Sequence, residues 1–305
     1  MWMREFIFWL SQKKAITDPI ARTGMRVGFA RRFIAGETLE DGLRVAAELN
    51  QKGLHVSMNH LGENVSQRAE AEAAYASYEE ILRSLHARQL QGNISVKPTQ
   101  LGVKFLPTLC QELLEGLVQG AAALNNFVEV DMEDSATTQA TLDLFEAVRR
   151  KYDNIGLAVQ AYLYRSARDL ERLRPLRPKI RLVKGAYREP ASVAYPRKSQ
   201  VDENYRRLLS YLFENGFFPA VATHDEAIIE FTRQLVARNG FDPTRFEFQM
   251  ILGVRRDLQA ALAAQGYGMR VYIPFGREWL PYFMRRLAER PANLGFVLKS
   301  LLLER

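Results

Sequence analysis

The sequence contains a single cysteine, Cys110, among 305 residues, which excludes a disulfide within the chain. A reducing compartment fits this composition. Because Cys110 lies in TLCQELL, a segment typical of a packed helix, we interpret it as a buried thiol and not as a nucleophile. The histidines show no zinc-ligand spacing with Cys110 or with carboxylates, so no metal site is expected; they are His55, His60, His86 and His224.

Long hydrophobic runs are also missing. The N-terminal run FIFWL has five residues, far fewer than the roughly 20 of a spanning helix, and no cleavage-like site follows it. With 47% hydrophobic and 25% charged residues and no low-complexity stretch, the composition is typical of a globular protein. We therefore expect a cytoplasmic protein.

The charge is unbalanced, with a net charge of +7 and a pI near 9.5. The basic residues are spread along predicted helices and are not gathered into arms with interleaved aromatics, so no nucleic-acid partner is expected. A basic surface is compatible with peripheral contact at the anionic inner face of the cell membrane.

The main pattern is an eightfold alternation of short β-rich runs with long amphipathic segments. The β-rich runs are 54–58, 94–97, 127–131, 156–160, 180–183, 217–222, 246–250 and 269–273. This alternation predicts an α/β fold of the (βα)8 TIM-barrel type. A doubly wound sheet is disfavoured, because no GxGxxG turn follows any predicted strand.

Two regions follow from this pattern. Residues 1–53 read as an N-terminal helical segment packed on the barrel, with helices expected at 4–13, around 25–33, and at 38–51 behind a Thr38 cap. Residues 54–305 form the barrel and end in a helix that we expect over its active site.

Polar residues stand where the predicted strands end, which is where barrel enzymes carry their catalytic groups. Arg181 lies inside an apolar run, so it is expected in the barrel interior with Asp131 as partner. The cations outnumber the carboxylates, which predicts a pocket for an anion. The strand-end residues are Lys97, Asp131, Gln160, Lys184, Thr223, His224, Gln249 and Tyr272.

The segment 272–290 predicts a helix with two different faces. One face carries the apolar residues Leu280, Phe283, Met284 and Leu287, and the other carries Tyr282, Arg285, Arg286 and Glu289. Paired guanidinium groups suit a carboxylate or phosphate, although a solvated outer face is the simpler interpretation of the same pattern.

The residues alone leave the chemistry open. Lys97 and Lys184 fit an anion holder, a Schiff-base nucleophile or a surface lysine equally well. On this basis the chain is a barrel enzyme acting on a small or phosphorylated anion, and a Schiff-base lyase or aldolase remains an alternative.

Eight motifs narrow the choice, because they occur in the order and at the strand ends found in one enzyme family. They are HLGENV (60–65), SVKPTQLG (95–102), VDMEDS (130–135), QAYLYR (160–165), RLVKGAY (181–187), ATHDE (222–226), EFQMILG (247–253) and YFMRRLAER (282–290). The chain thereby resembles the proline dehydrogenases, specifically the monofunctional bacterial members that use FAD.

The resemblance implies oxidation of L-proline to 1-pyrroline-5-carboxylate by hydride transfer to FAD, with a quinone as electron acceptor. It implies catalytic roles for Asp131 and Arg181, and substrate binding by Lys97, Tyr272, Tyr282, Arg285 and Arg286. The residues expected around FAD are Met132, Gln160, Arg181, Lys184, Gly185, Ala186, Thr223, His224 and Glu289.

Two further expectations come from the first βα loop. Glu63 is expected to pair with Arg285 as a gate that closes over bound proline. Asn59 stands where the family usually has an aspartate, and we expect it to tune local hydrogen bonding without abolishing activity.

Overall fold

The computed structural model describes residues 30–289, with the backbone alone for residues 285–289. The helix expected at 4–13 and most of the segment expected at 25–33 lie outside this range; Ala30–Arg32 forms a short 3-10 turn. Helix α1, Leu39–Asn50, begins behind Thr38 as predicted. Asp41 donates its N–H to the Thr38 hydroxyl at 3.2 Å and accepts the Thr38 N–H at 3.2 Å, a reciprocal cap that fixes the helix start.

Eight parallel strands close into a barrel in sequence order, and β1 pairs with β8 to complete it. Their bounds agree with the predicted ones to within two residues, so the (βα)8 prediction is confirmed. The strands are β1 His55–His60, β2 Gly92–Val96, β3 Val128–Val130, β4 Ile155–Gln160, β5 Lys179–Val183, β6 Phe218–Ala222, β7 Glu247–Ile251 and β8 Met269–Phe275.

Helices alternate with these strands and cover the barrel. They are α2 Arg68–Ala87, α3 Pro107–Ala123, α4 Thr138–Arg149, α5 Ser166–Leu173, α6 Lys198–Glu214, α7 Glu226–Asn239, α8 Arg256–Ala264 and α9 Trp279–Glu289. No helix in the range 30–289 is both long enough and apolar enough to cross a membrane.

Alternate residues of each strand face the helices and the barrel interior, because side chains in a strand alternate between two faces. In β5, Ile180 and Leu182 are fully buried in the hydrophobic layer beneath the helices, whereas Arg181 between them bonds to Gln249 of β7 and to Asp131 just after β3. This alternation confirms the interior position predicted for Arg181.

The barrel interior is unusually polar, since such barrels are normally filled by branched apolar side chains. Near its N-terminal end, Glu247 accepts hydrogen bonds from Lys179 at 2.7 Å and from Arg270 at 2.8 Å. Gln249 donates to the same carboxylate at 2.6 Å. Each of these buried charges therefore has an opposite partner, which removes most of the penalty of burial.

Helix α9 packs beside the C-terminal mouth of the barrel. Leu280 and Phe283 of its predicted apolar face are buried and contact a separate hydrophobic cluster that includes Phe33, Ile34 and Leu61. Trp279 is also buried and donates its indole N–H to Glu37 at 3.2 Å. The helix is thus anchored through its first turns, and its later turns carry Arg285 and Arg286, the pair expected to clamp the substrate carboxylate.

Candidate active site

Asp131, just after β3, is the centre of the site. Its Oδ1 accepts hydrogen bonds from Arg181 at 2.5 Å and from the Ser95 hydroxyl at 2.7 Å. Its Oδ2 accepts from the Lys97 ammonium at 3.0 Å and from the Tyr272 hydroxyl at 2.9 Å. The predicted pairing of Asp131 with Arg181 is confirmed, and it brings together side chains from β2, β3, β5 and β8.

These contacts fix the charge states of the central groups. Burial would raise the pKa of Asp131, but the charges of Lys97 and Arg181 and the Ser95 hydrogen bond outweigh it and lower that pKa to about 2. Burial would likewise lower the pKa of Lys97, but Asp131 raises it well above the usual value. At neutral pH the pair is therefore a carboxylate and an ammonium.

The guanidinium of Arg181 is held on all three nitrogens. Nε donates to the Gln249 side-chain oxygen at 2.7 Å, and Nη1 donates to the Ser95 hydroxyl at 2.9 Å. Nη2 donates to the Ser57 hydroxyl at 3.2 Å and lies 3.3 Å from a Glu129 oxygen. A planar donor fixed from several strands has a defined orientation, as an electrostatic catalytic group requires.

A cavity of about 520 Å³ opens above this cluster. Its volume lies within the roughly 300–1,000 Å³ of ligand and cofactor sites. It gathers the predicted substrate and cofactor residues whose side chains are described, namely Lys97, Asp131, Met132, Gln160, Arg181, Lys184, Gly185, Ala186, Thr223, His224, Tyr272 and Tyr282.

Other residues of the cavity wall were not predicted. Val183, Met250 and Ile251 are apolar and lie within strands, so no polar signal marks them in the sequence. Tyr187 and Asp225 were detectable, because each lies inside a family motif that was already recognised.

Some cavity residues are fixed by their neighbours. Gly185 has a φ of +120°, and a Cβ at that position would lie 2.3 Å from the Tyr162 ring, so this turn requires glycine. His224 accepts the Ile251 N–H on Nε2 at 2.9 Å, which places the proton of a neutral ring on Nδ1. Gln160 donates its amide to the Glu133 carbonyl at 2.7 Å.

The expected surplus of positive charge included Arg285 and Arg286, whose side chains lie outside the described residues, so it stays a prediction. Lys184 bonds to Asp202 at 2.5 Å and to Asp225 at 2.6 Å, while Lys97 and Arg181 share Asp131. These carboxylates belong to segments distant in sequence, so their proximity was not visible beforehand.

Several predicted residues cannot be compared with the structure. The side chains of Arg285, Arg286 and Glu289 lie outside the described residues, so the clamp and the Glu63–Arg285 gate stay predictions. Glu63 itself is half-buried in the loop after β1.

Tyr272 and Asn59 both lie inside strands, in β8 and β1. Tyr272 was expected at the end of the last strand, but β8 continues to Phe275, so Tyr272 lies in the middle of it. Asn59 is fully buried and donates its amide to the Ser95 carbonyl at 2.9 Å. Its side-chain oxygen has no hydrogen-bond partner among the described residues. Its effect on activity stays a prediction.

In the part of the chain that the structure describes, no group of three or more His, Cys, Asp or Glu side chains could hold a metal ion.

Comparison with known proteins agrees with this geometry. The family model described as proline dehydrogenase matches residues 43–299. Proline dehydrogenase 1 of Bacillus subtilis subsp. natto is 40% identical over 98% of this chain and 99% of its own length. The proline dehydrogenase of Deinococcus radiodurans is 38% identical over 90% of each chain.

A solved structure is similar as well. The chain superposes with a TM-score of 0.80 and 25% identity on proline utilization A from Bdellovibrio bacteriovorus, inactivated by N-propargylglycine. The match covers 86% of this chain and 32% of that longer protein, so this chain spans about a third of its length. From the family model and the near full-length relatives together, this chain belongs to the proline dehydrogenase family.

Proposed function

We propose that this protein oxidises L-proline to 1-pyrroline-5-carboxylate, the first step of proline catabolism to glutamate. The observation that carries the proposal is the buried cluster of Lys97, Asp131 and Arg181 at the floor of the cavity. It supplies a fixed ammonium for a substrate carboxylate and a fixed guanidinium beside the space for a cofactor. The family of the chain supports the same reaction.

The cavity fits FAD as cofactor. Its floor presents the Arg181 guanidinium, its wall includes apolar residues such as Val183 and Met250, and the Gly185 backbone borders it without a side chain. Bound in this cavity, FAD would supply the acceptor for the hydride from proline and a route for the electrons to a quinone. The residues proposed to hold it are Met132, Gln160, Arg181, Lys184, Gly185, Ala186, Thr223, His224 and Glu289.

Lys97, Arg285 and Arg286 are proposed to bind the proline carboxylate. An ammonium has three N–H donors, and the hydrogen bond from Lys97 to Asp131 uses one of them. Asp131 thus keeps Lys97 charged and oriented while the remaining donors face the substrate. The two arginines of α9 would complete the clamp from above, and this fixes the carbon beside the proline nitrogen near the cofactor.

Tyr272 and Tyr282 are proposed to pack against the proline ring. Both line the cavity, and the Tyr272 ring is held at two points. Its hydroxyl bonds to Asp131, and the guanidinium carbon of Arg181 lies 5.3 Å from its centroid. A ring fixed in this way gives the pocket a defined shape.

A Schiff-base lyase mechanism is disfavoured by the ion pairs that Lys97 and Lys184 form. A nucleophilic lysine must lose its proton, but Asp131 raises the pKa of Lys97, and Lys184 is paired with both Asp202 and Asp225. Lys97 is therefore held as an ammonium, and Lys184 is engaged in two ion pairs, so neither side chain is arranged as a free nucleophile.

Two measurements on the purified protein distinguish the flavin-dependent dehydrogenase from the Schiff-base lyase: its absorption spectrum and a borohydride trapping experiment. We expect a visible flavin spectrum that L-proline bleaches under anaerobic conditions, and no lysine adduct after borohydride treatment with substrate. A colourless protein that traps a substrate covalently would instead establish the lyase. A protein that binds proline without reducing any acceptor would be a binding protein only.

We further propose a cytoplasmic enzyme that contacts the inner face of the membrane, where quinone is dissolved. The net charge of +7 supports attraction to anionic lipids. Co-sedimentation with vesicles containing phosphatidylglycerol, but not with neutral vesicles, is the expected result. Equal sedimentation with both vesicle types would contradict an electrostatic contact.

A further inference from the structure

Glu129 is a buried carboxylate that is not among the residues proposed to bind the substrate or the cofactor. It lies in β3, two residues before Asp131, and its side chain has no solvent exposure. Neither of its oxygens has a hydrogen-bond partner among the described residues. The cation it faces is Arg181, whose Nη2 lies 3.3 Å from Oε2. Because an unsolvated carboxylate is costly, its presence requires a compensating interaction.

The barrel provides room for this carboxylate. Glu129 is in register with Gly156 of β4, where an added Cβ would lie 3.1 Å from Oε1 and 2.6 Å from the Phe127 ring. Any other residue at position 156 would crowd the Glu129 side chain. The small residue and the carboxylate thus fit each other, directly below the floor of the cavity.

The charges of the cluster balance only when Glu129 is included. Arg181 lies between two carboxylates, Asp131 at Nη1 and Glu129 at Nη2. Asp131 is shared with Lys97, so without Glu129 two cations would share one carboxylate. Burial alone would lower the pKa of Arg181. The negative charges of Glu129 and Asp131 outweigh this effect, so the pKa is raised.

We propose that Glu129 is a positioning residue that fixes the Nη2 edge of Arg181 and limits the net positive charge at the floor of the cofactor cavity. It acts through Arg181 and does not contact the substrate. This inference rests on the proposed function, because it assigns Glu129 control over the reduction potential of the bound flavin. Reduction adds negative charge to the flavin, so a floor with more positive charge favours the reduced form.

Two substitutions separate charge from shape. Glu129→Gln keeps the size of the side chain and removes its charge, whereas Glu129→Asp keeps the charge and shortens the side chain. The midpoint potential of the flavin in the holoenzyme is measured by anaerobic titration against a redox dye. We expect Glu129→Gln to raise the equilibrium constant for reduction at least tenfold, about 30 mV for a two-electron couple. Glu129→Asp should change the equilibrium constant for reduction less than threefold.

A matched control is Glu133→Gln, which removes another buried carboxyl from the segment after β3. Glu133 accepts hydrogen bonds from the Thr99 N–H at 2.9 Å and hydroxyl at 2.6 Å. We expect a smaller change of potential in this variant. An equal rise in the Glu133 variant would show a general field effect and would overturn the assignment to the Glu129–Arg181 pair.

The remaining outcomes also decide the question. Equal potentials in the native protein and Glu129→Gln would show that Glu129 carries no charge that the flavin experiences. If Glu129→Gln does not fold, Glu129→Asp decides the question. A midpoint potential equal to that of the native protein in Glu129→Asp would support the role of Glu129 as a counter-charge to Arg181. Loss of flavin from Glu129→Asp would show a steric role instead. Absence of flavin from the native protein would refute the proposed function itself, which is a different result.

Discussion

The hydroxyl of Tyr272 donates a hydrogen bond to the carboxylate of Asp131 at 2.9 Å. This contact joins β8 to the end of β3 across the mouth of the barrel, and the same carboxylate oxygen also accepts a hydrogen bond from Lys97. The position of the aromatic ring is therefore coupled to the proposed carboxylate-binding ammonium. Asp131 thus holds both the aromatic ring proposed to contact the substrate ring and the ammonium proposed to bind its carboxylate.

Hydroxyproline should be a poor substrate, because we expect the Tyr272 ring to pack against the proline ring and to leave no space for an added hydroxyl. We expect proline to be preferred by roughly 10- to 100-fold in kcat/KM, a range typical of steric discrimination. Tyr272→Ser should narrow this gap by opening space. Tyr272→Phe is the matched control, since it loses the bond to Asp131 but keeps the ring and the discrimination. Similar kcat/KM values of the native protein for both substrates would contradict the assignment.

Arg285→Met and Arg286→Met should each weaken proline binding while FAD is retained. Each substitution removes a charge-assisted hydrogen bond to a carboxylate, worth about 1.5–3 kcal/mol, or roughly 10- to 150-fold in KM. Steady-state kinetics and the flavin absorbance ratio measure the two effects separately. Arg233→Met, at an exposed arginine of α7 paired with Glu230, serves as the control. Loss of flavin with unchanged proline affinity would assign these arginines to the cofactor.

Glu63→Ala tests the proposed gate. If Glu63 pairs with Arg285 over bound proline, its loss should raise the KM for proline and lower kcat while the flavin content stays constant. Glu72→Ala removes an exposed carboxylate from an intrahelical pair with Arg68 and should be neutral. Kinetics in Glu63→Ala that equal those of the native protein would leave Arg285 as a simple substrate ligand.

Asp131 should contribute to acid stability in a defined pH range. Its pKa falls from 3.8 to about 2 on folding, so its stabilisation is fully present above pH 4 and is lost as the pH falls toward 2. The size of this contribution is about 2.5 kcal/mol at neutral pH. The free energies of unfolding of the native protein and of Asp131→Asn, from urea titrations, should therefore converge by about that amount between pH 6 and pH 2. A difference that is constant with pH would show that folding leaves the pKa of Asp131 unchanged.

Much of the fold was predictable because its signals are local. The Thr38 cap, the apolar strands and the amphipathic helices each depend on residues close in sequence. The rule that barrel enzymes carry catalytic groups at strand ends then placed Lys97, Asp131 and Gln160 around one mouth without any contact information. The family motifs added Gly185 and Ala186, which composition alone would not have singled out.

The sequence by itself determined the order of the elements and most of the polar residues that face the cavity. Only the tertiary structure decided how those residues are paired, as for Lys184 with Asp202 and Asp225, or Arg181 with Glu129. The physical reason is that these pairs depend on strand register and on closure of β1 against β8, which bring together segments far apart along the chain. Periodicity assigns each side chain to the interior or the exterior of the barrel, but the neighbours it meets there are set by the closed sheet.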